Sequence, residues 1–422
     1  MDRREADLLI YNSSEVATLA QPHGRPHLGA EMSDAGILPR GAVAVAGGRI
    51  AAIGSLEEVR ETVIVGPRTR LLDAQERLVT PGLVDAHTHL VFGGSRESEF
   101  IQKVVEGLSY EQIVERGGGV PVTVAQTRET RFEVLLQRAR VVLRRMLWNG
   151  ATTVEAKSGY ALDTEGELKL LEVIRRLDLD GPVECVPTFF GTHDIPVEYA
   201  LRRDEYLRLV VEEMIPAVAR GGLAQFCDSG TAYPADRTAA LYAAAQSHGL
   251  GIKVHADEFS SVGGAETAAR WNAISAEHCI HSSAAGIEAM ASSAVIAVLL
   301  PAVPLVHRLP GPADARRFIA RGVAVAFGTD FNPSCLVESM QLVMALGCCT
   351  MHMSPAESLT AATINAAHAV GRADRVGSLE VGKQADLVVW QVSSHVQLME
   401  RLGGNLVSSV IKKGRVCTVF EG

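Results

Sequence analysis

The chain has 422 residues, 47 % of them hydrophobic and 21 % charged, which excludes a disordered chain and allows a large buried core. With 40 Lys and Arg against 49 Asp and Glu, the net charge is −9; no basic run occurs, so neither nucleic acid nor an anionic membrane is an expected partner. The longest uncharged apolar run, residues 294–306, is too short to span a bilayer. Scattered cysteines and an N-terminus without a signal-peptide core indicate a reduced, cytoplasmic protein.

The two ends of the chain carry short β-strand patterns. Gly47-Gly48 joins two of these strands and is typical of a tight hairpin. Neither end could bury a core alone, so we predict that residues 1–80 and 378–422 together form a small β-sandwich. Residues 15–40 are expected to form a long surface loop. The predicted terminal strands are residues 7–11, 42–46, 49–53, 385–391 and 408–416.

Residues 81–377 alternate apolar strands with helical segments. Eight buried strands separated by helices predict an α/β fold of the (β/α)8 TIM-barrel type, with any chemistry at the carboxyl ends of the strands. The predicted strands are residues 82–89, 151–157, 183–190, 223–228, 251–257, 273–280, 295–300 and 323–329. The predicted helices are residues 131–149, 165–177, 205–220, 237–247, 264–271 and 314–320.

Potential metal ligands fall at four of these strand ends. Alternation along the first strand places His87 and His89 on one face, where both imidazoles can reach one ion. His255 ends the fifth strand, His278 the sixth and Asp330 the eighth. Each residue alone is best explained as a core histidine or a helix-capping aspartate. The joint pattern is hard to produce by core packing and indicates a metal site.

This strand-end pattern resembles the amidohydrolase superfamily of metal-dependent hydrolases. Longer segments resemble its imidazolonepropionase family, and the similarity extends from about residue 81 to residue 390. The family implies hydrolytic opening of 4-imidazolone-5-propionate to N-formimidoyl-L-glutamate, a step of histidine degradation. The segments that carry the resemblance are PGLVDAHTHLVFGGSRESEF (81–100), RGGGVPVTVAQTRET (116–130), TTVEAKSGY (152–160), KVHADE (253–258), TDFNPS (329–334) and TINAAHAVGRADRVGSLEVGK (363–383).

The resemblance also implies roles for individual residues. One divalent ion, Zn or Fe, would be bound by His87, His89, His255 and Asp330, a ligand set that suits either metal. Glu258, Asp330 and His278 would be catalytic. Glu258 would bind a ring nitrogen and carry a proton from water to the leaving nitrogen, while His278, with Asp330 as its partner, would stabilise or deprotonate the attacking water. Which of the three takes the proton of the water stays open.

The substrate's propionate needs cationic and hydroxyl donors. By the resemblance, Arg96, Tyr160 and Asn332 hold this carboxylate, and His193 contacts the ring. Ser334 and Cys335 complete the substrate-binding set, although the family has a glycine where this chain has Ser334. We expect the backbone N–H of Ser334 to meet the propionate if this serine adopts the φ of the glycine.

Other departures from the family lie at Ala302, in place of a glycine, at His307, and in a shortened segment after Asp228. These departures are expected to change the walls of the substrate pocket but none of the predicted metal ligands. Lys157 is expected to be a salt-bridged barrel residue. The glycine run 117–119 is expected to be a flexible active-site loop, because it lacks the context of a phosphate-binding loop.

Three alternatives stay open. The first is a deaminase, or a cyclic amide or amidine hydrolase, that acts on another small and carboxylated heterocycle. The second is a binding protein without catalysis, and the third is a non-haem iron oxygenase, since two histidines and a carboxylate also suit that chemistry. The expected partner is a small-molecule substrate, and the resemblance alone suggests a homodimer.

Overall fold

The computed structural model describes residues 3–20, 23–230, 233 and 237–419 of the chain. Its strands form two sheets of eight strands each, one for each predicted unit. In chain order the strands are β1 Leu8–Ala17, β2 Ile37–Pro39, β3 Ala42–Ala46, β4 Arg49–Gly54, β5 Arg70–Pro81, β6 Leu83–Asp85, β7 Ala151–Lys157, β8 Glu184–Phe189, β9 Phe226–Ser229, β10 Gly251–Ala256, β11 Ser275–His278, β12 Ile296–Leu299, β13 Val325–Phe327, β14 Leu387–Trp390, β15 Val407–Lys412 and β16 Arg415–Val419.

Most helices fill the connections between the barrel strands, one short helix packs on the small domain, and the last four helices follow the final barrel strand. They are α1 Leu56–Thr62, α2 Glu97–Val104, α3 Tyr110–Glu115, α4 Val120–Glu129, α5 Phe132–Trp148, α6 Thr164–Asp180, α7 Arg203–Leu209, α8 Ile215–Arg220, α9 Ala239–Ser247, α10 Gly264–Arg270, α11 Ala284–Ser293, α12 Ala302–His307, α13 Ala315–Ala320, α14 Met340–Met351, α15 Pro355–Ala361, α16 Ile364–Ala369 and α17 His395–Glu400. Short 3-10 segments at Gly29–Ser33 and Val197–Tyr199 and a π-turn at Val210–Met214 complete the set.

Strands β6 to β13 pair in parallel in sequence order, which confirms the predicted (β/α)8 barrel. Backbone hydrogen bonds close the ring between its first and last strands: the N–H of Ala86 donates to the carbonyl of Phe327 at 3.2 Å, and that of Asp330 donates to the carbonyl of His87 at 3.0 Å. Every residue of β7 is buried, including Glu155 and Lys157. The interior of the barrel therefore contains charged side chains as well as apolar ones.

The small domain joins the two ends of the chain, as predicted. Its strands form one continuous sheet in the order β16-β15-β14-β5-β1-β3-β4, with β2 beside β1. The sheet curls so that the β3–β4 turn reaches the β15–β16 turn, where Gly48 lies against the backbone of Lys413. An apolar core from several strands fills this curl. The predicted sandwich is thus a single folded sheet, and the domain boundaries at residues 80 and 377 stay a prediction.

Three features of the small domain differ from the expectations. The region 408–416, expected as one strand, is a hairpin of β15 and β16, and the long strand β5 was not expected at all. The expected surface loop 15–40 contains the end of β1, the 3-10 segment and β2. His27 in this region is buried, and its backbone N–H donates to Asn365 Oδ1 at 2.8 Å. Tertiary hydrogen bonds of this kind leave no local sequence pattern.

The connection after β6 is longer than one crossover helix. Helices α2, α3 and α4 precede the predicted helix α5 and lie beyond the carboxyl ends of the strands. They bring Arg96, Tyr110 and Val120 to the cavity described below. In the described part of the chain, every helix is too short or too polar to cross a membrane.

The contact between the barrel and the small domain gives a test of the packing. Gly150 has φ +94°, and a Cβ atom there would lie 3.1 Å from the buried ring of Trp390. Gly150→Ala is therefore expected to lower the free energy of unfolding by about 2–3 kcal/mol, through backbone strain and a steric clash. Gly222→Ala is the matched control, because Gly222 has φ +58° with open space around it, and strain alone costs about 1–2 kcal/mol. Urea unfolding of both variants measures the difference, and equal losses would contradict the clash.

Candidate metal and substrate site

Three metal-ligating atoms converge at the carboxyl end of the barrel. The Nε2 atoms of His87 and His89 lie 3.3 Å apart, and Asp330 Oδ1 lies 3.3 Å from the first and 3.5 Å from the second. Ligand atoms at this spacing can all lie about 2 Å from one ion, the length of zinc bonds to nitrogen and oxygen. All three residues are buried. The structure therefore brings together three of the four predicted ligands in a geometry that fits a metal ion.

His255 lies beside this triangle. Its ring centroid is 4.8 Å from that of His87 and 5.1 Å from that of His278. Its Nε2 atom is buried and has no hydrogen-bond partner among the described residues. On its other side, Nδ1 lies 3.0 Å from Asp228 Oδ2. A buried imidazole nitrogen without a partner, next to three converging ligand atoms, is what a fourth metal ligand requires.

A cluster of buried ions lies directly beneath these ligands. The Lys157 ammonium is within 2.8 Å of Glu155 Oε1 and Asp228 Oδ2 and 2.7 Å from Glu277 Oε2, and Lys253 Nζ lies 2.6 Å from Glu277 Oε1. All five side chains are inaccessible to solvent. Burial would raise the pKa of Asp228, but the neighbouring Lys157 and His255 lower it to about 2. The expectation of a salt-bridged Lys157 is confirmed.

The charges of this region match a divalent cation. Three carboxylates of the ion cluster face two ammonium groups, which leaves one negative charge, and Asp330 adds another. Burial would raise the pKa of Asp330, but His87 and the other imidazoles lower it to about 2, so it is a carboxylate at neutral pH. Burial would lower the pKa of His87, but Glu277 raises it to about 9, and metal binding requires the neutral form of this imidazole. When the imidazoles are neutral in this way, a divalent ion balances the two negative charges. The donor set and the charge both fit the predicted metal.

Two further titratable groups border the ligands. His278 Nδ1 lies 3.8 Å from Glu258 Oε1. Burial, together with the charge of Asp330, raises the pKa of Glu258 to about 8, so its carboxyl group holds a proton at neutral pH. Burial lowers the pKa of His278 well below its ordinary value, which leaves a neutral imidazole. An acid and a base thus lie side by side next to the metal ligands, as general acid–base chemistry requires.

The loop that carries Glu258 is fixed by its neighbour. Asp257, in a left-handed conformation with φ 51°, accepts hydrogen bonds from the backbone N–H groups of Val262, Gly264 and Ala265 and from the hydroxyl of Ser282. His278 also has a left-handed φ of 67°. Left-handed conformations of this kind in non-glycine residues are concentrated at functional sites.

A cavity of about 180 Å³ opens above the metal ligands and has room for one small molecule. It includes most of the predicted substrate-binding residues together with several that the sequence did not reveal. The side chains that line it are His89, Arg96, Tyr110, Val120, Tyr160, Phe190, His193, Asp194, His255, Glu258, Phe259, His278, His307, Asp330, Asn332 and Ser334, with Gly230.

Arg96 is the buried cation of this cavity. Its Nε and Nη2 atoms donate to Glu99 Oε2 at 2.9 and 2.6 Å, which leaves other N–H groups of the guanidinium for a ligand. Glu99 Oε1 in turn accepts from the backbone N–H of Gly119 at 2.8 Å. The glycine run 117–119, expected to be a flexible active-site loop, is thus tied to Arg96 through Glu99.

Aromatic rings form the walls around the ligands. His193 stacks on His89 and on Phe190 with centroid distances of 4.9 and 4.6 Å, and its Nδ1 contacts the carbonyl of Gly159 at 3.1 Å. Burial lowers the pKa of His193 to about 3, so this ring is neutral. Tyr160 lies 5.0 Å from the His193 ring. These rings form a flat, apolar side of the cavity that suits a planar heterocycle.

The turn after Asp330 differs from its predicted role. Asn332 Oδ1 accepts from the backbone N–H groups of Ser334 at 2.8 Å and Cys335 at 3.1 Å, so neither N–H is free for a substrate carboxylate. Ser334 is not in the left-handed region, and its hydroxyl, which lines the cavity, lies 3.4 Å from His307 Nε2. Cys335 does not line the cavity, because its thiol points to the carbonyl of Thr329 at 3.8 Å.

The residues that depart from the family pattern differ in their position relative to the cavity. Ala302 is buried at the start of α12, away from the cavity, whereas His307 lines it. Of the shortened segment after Asp228, residues 231, 232 and 234–236 lie outside the described residues.

The sequence did not identify several residues of the site. Tyr110 and Phe259 stack at 5.8 Å in the cavity wall, and Asp194 also lines it. Asp228 and Glu277 were likewise not predicted as residues of the site. One signal was available for these two, since both carboxylates lie in buried strands of the barrel, where a charged side chain needs a partner.

Comparison with known proteins agrees with this geometry. Residues 78–417 match the amidohydrolase family, and residues 41–62 match the imidazolonepropionase-like composite domain of bacteria. The chain is 45 % identical to the imidazolonepropionase of Geobacillus kaustophilus, with 97 % of each chain covered. It is 43 % identical to that of Symbiobacterium thermophilum, with 99 % of each chain covered.

Solved structures share the fold at lower identity. Guanine deaminase from E. coli has a TM-score of 0.74 at 14 % identity, with 98 % of this chain and 99 % of that chain covered. The atrazine chlorohydrolase of Arthrobacter aurescens complexed with zinc has a TM-score of 0.72 at 18 % identity, with 97 % and 94 % covered. Together, the metal-ligand geometry and the near full-length relatives show that this chain belongs to the amidohydrolase family and, within it, to the imidazolonepropionases.

Proposed function

We propose that this chain hydrolyses the cyclic C–N bond of 4-imidazolone-5-propionate and releases N-formimidoyl-L-glutamate. The observation that carries this proposal is the combination of converging metal ligands and a buried arginine in one small cavity. The ligands suit hydrolysis of an unreactive cyclic amide, and the arginine suits a substrate with a carboxylate. The full-length similarity to imidazolonepropionases supports the same substrate.

We infer that one divalent ion, Zn or Fe, completes the site and is held by His87, His89, His255 and Asp330. The distances among the first, second and fourth of these, and the unpartnered Nε2 of His255, support this assignment. Such an ion lowers the pKa of water towards 7 and stabilises the charge that develops on the ring carbonyl. The ligand set does not favour Zn over Fe.

The proton transfers fall to Glu258, His278 and Asp330. Water adds to the ring carbonyl carbon, the C–N bond breaks, and the leaving nitrogen takes a proton. His278, neutral and close to Asp330, is placed to accept hydrogen from the attacking water. Glu258, whose pKa is about 8, is placed to hydrogen-bond a ring nitrogen and pass a proton to it. Burial of these groups excludes competing water.

The cavity residues orient the substrate. The free N–H groups of Arg96 bind the propionate, assisted by the hydroxyl of Tyr160 and the amide of Asn332. His193 contacts the ring from the apolar wall. The backbone N–H of Ser334, which we expected to contact the propionate, and the hydroxyl of Ser334 both donate to Asn332 Oδ1 at 2.8 Å, so Ser334 lines the cavity without being assigned a donor role.

The cellular compartment and the oligomeric state of the enzyme are also proposed. The cysteines of the chain are free, which supports a reducing compartment, and we propose the cytoplasm. A homodimer rests on family resemblance alone. A deaminase of the same fold remains the alternative function, and the carboxylate-binding arginine argues against it.

The proposed function is tested by turnover of 4-imidazolone-5-propionate, generated fresh from urocanate, with loss of the ring's ultraviolet absorbance as the signal. Rapid loss is expected from the metal-loaded enzyme, and a chelator should suppress it because it removes the ion that activates the attacking water. Absence of turnover by a folded, metal-replete protein would exclude this substrate. A panel of carboxylated cyclic amides and amino-heterocycles would then identify the true one.

Glu258→Gln is expected to retain the metal but to lose at least about 10²-fold in kcat, because the amide keeps the shape and cannot transfer a proton. Metal content and steady-state kinetics are measured together. Glu266→Gln is the matched control, since Glu266 lies on the adjacent helix α10 and binds the Ser283 hydroxyl outside the cavity. Full activity of the Glu258 variant would remove this residue from the proton path.

Arg96→Lys is expected to raise KM for the carboxylated substrate by about 10- to 100-fold with a smaller effect on kcat, because lysine cannot hold a carboxylate bidentately. Arg116→Lys serves as control, since Arg116 pairs with Glu106 at the surface. Steady-state kinetics separate the two parameters. An unchanged KM would show that the propionate binds elsewhere.

A further inference from the structure

Two carboxylates of the buried ion cluster each lie against a different metal-ligating imidazole. Glu277 Oε2 is 2.5 Å from His87 Nδ1, and Asp228 Oδ2 is 3.0 Å from His255 Nδ1. The same two oxygen atoms also lie 2.7 and 2.8 Å from the ammonium of Lys157. Lys157 therefore connects the two carboxylates that contact His87 and His255, two imidazoles from opposite sides of the barrel.

These contacts decide which nitrogen of each ring is available to a metal. A carboxylate beside Nδ1 keeps the proton on that atom, so the lone pair is on Nε2. In His87, Nε2 is the atom that converges with His89 and Asp330. In His255, Nε2 is buried without a hydrogen-bond partner among the described residues, whereas Nδ1 faces Asp228 Oδ2 at 3.0 Å.

We propose that Glu277 and Asp228, coupled through Lys157, are positioning residues that set the affinity of this chain for its metal ion. The proposal rests on the metal site of the proposed function and goes beyond it by assigning these three residues, which do not contact the ion or the substrate. Their removal acts through the imidazoles, and carboxylates in this position typically contribute about 10- to 100-fold in metal affinity.

Glu155 provides an internal comparison. It is as deeply buried as Glu277, and its Oε1 contacts the same Lys157 ammonium at 2.8 Å. Its other partners are the hydroxyl of Thr188 and the backbone N–H of Thr88, and no contact to an imidazole is recorded for it among the described residues. Glu155 thus shares the burial, the charge and the lysine of Glu277 but lacks the contact to a metal ligand.

The test compares Glu277→Gln, Asp228→Asn and Glu155→Gln in the full chain. Each variant removes one buried negative charge while it keeps the shape of the side chain. Metal is removed by dialysis against a chelator, and the Kd for Zn²⁺ is measured by competition with a chromophoric chelator. Thermal unfolding of the metal-free proteins reports stability, and the absorption spectrum of the Co²⁺-loaded proteins reports ligand geometry.

Zn²⁺ affinity is expected to fall about 10- to 100-fold in Glu277→Gln and Asp228→Asn, with an altered Co²⁺ spectrum, and to change less than about threefold in Glu155→Gln. The inference is overturned if Glu277→Gln binds Zn²⁺ as tightly as the wild type, or if Glu155→Gln loses as much. If Glu277→Gln does not fold, Asp228→Asn decides the question through His255. A wild-type chain that binds no metal would instead refute the metal site of the proposed function.

Discussion

The structure depends on one constraint: three carboxylates lie in the solvent-inaccessible interior of the barrel, and their charges must be compensated there. An uncompensated charge in such a place costs several kcal/mol, so the Lys157 ammonium, in contact with all three, is a condition for the barrel to close around them. Lys253 supplies the second positive charge from the neighbouring strand. The proposed metal ligands lie directly above this ion cluster, so the cluster forms the base on which the site is built.

The sequence was sufficient to predict the barrel and the convergence of the side chains proposed as metal ligands. Eight apolar strands with interposed helices specify the topology, and side chains at the carboxyl ends of parallel strands meet in space whatever the intervening loops. For this reason His87, His255 and Asp330 were identified although they are far apart in the chain. Family resemblance supplied Arg96, Tyr160 and His193, whose cavity positions have no periodic pattern.

The other features of the fold and the site could not be predicted from the sequence, because they depend on tertiary contacts. Helices α2 to α4 are short, and their positions around the cavity follow from their packing on the barrel. The cavity position of Tyr110 and the hydrogen bond between Gly119 and Glu99 therefore had no local sequence pattern. The Ser334 turn shows the same limit. Its sequence suggested a backbone donor for the substrate, yet the side chain of Asn332 takes that donor first. Competition for a hydrogen bond is decided by geometry, which the order of residues does not contain.

The curled sheet of the small domain has a consequence for biosynthesis. Strand β5 pairs on one side with β1, made early, and on the other with β14, made only after the entire barrel. While the chain emerges from the ribosome, the apolar face of β1, β3 and β5 has no covering, and the β5 edge is open to pairing with another chain. Completion of the small domain must therefore wait for the last strands, and nascent chains are exposed to aggregation for most of their synthesis.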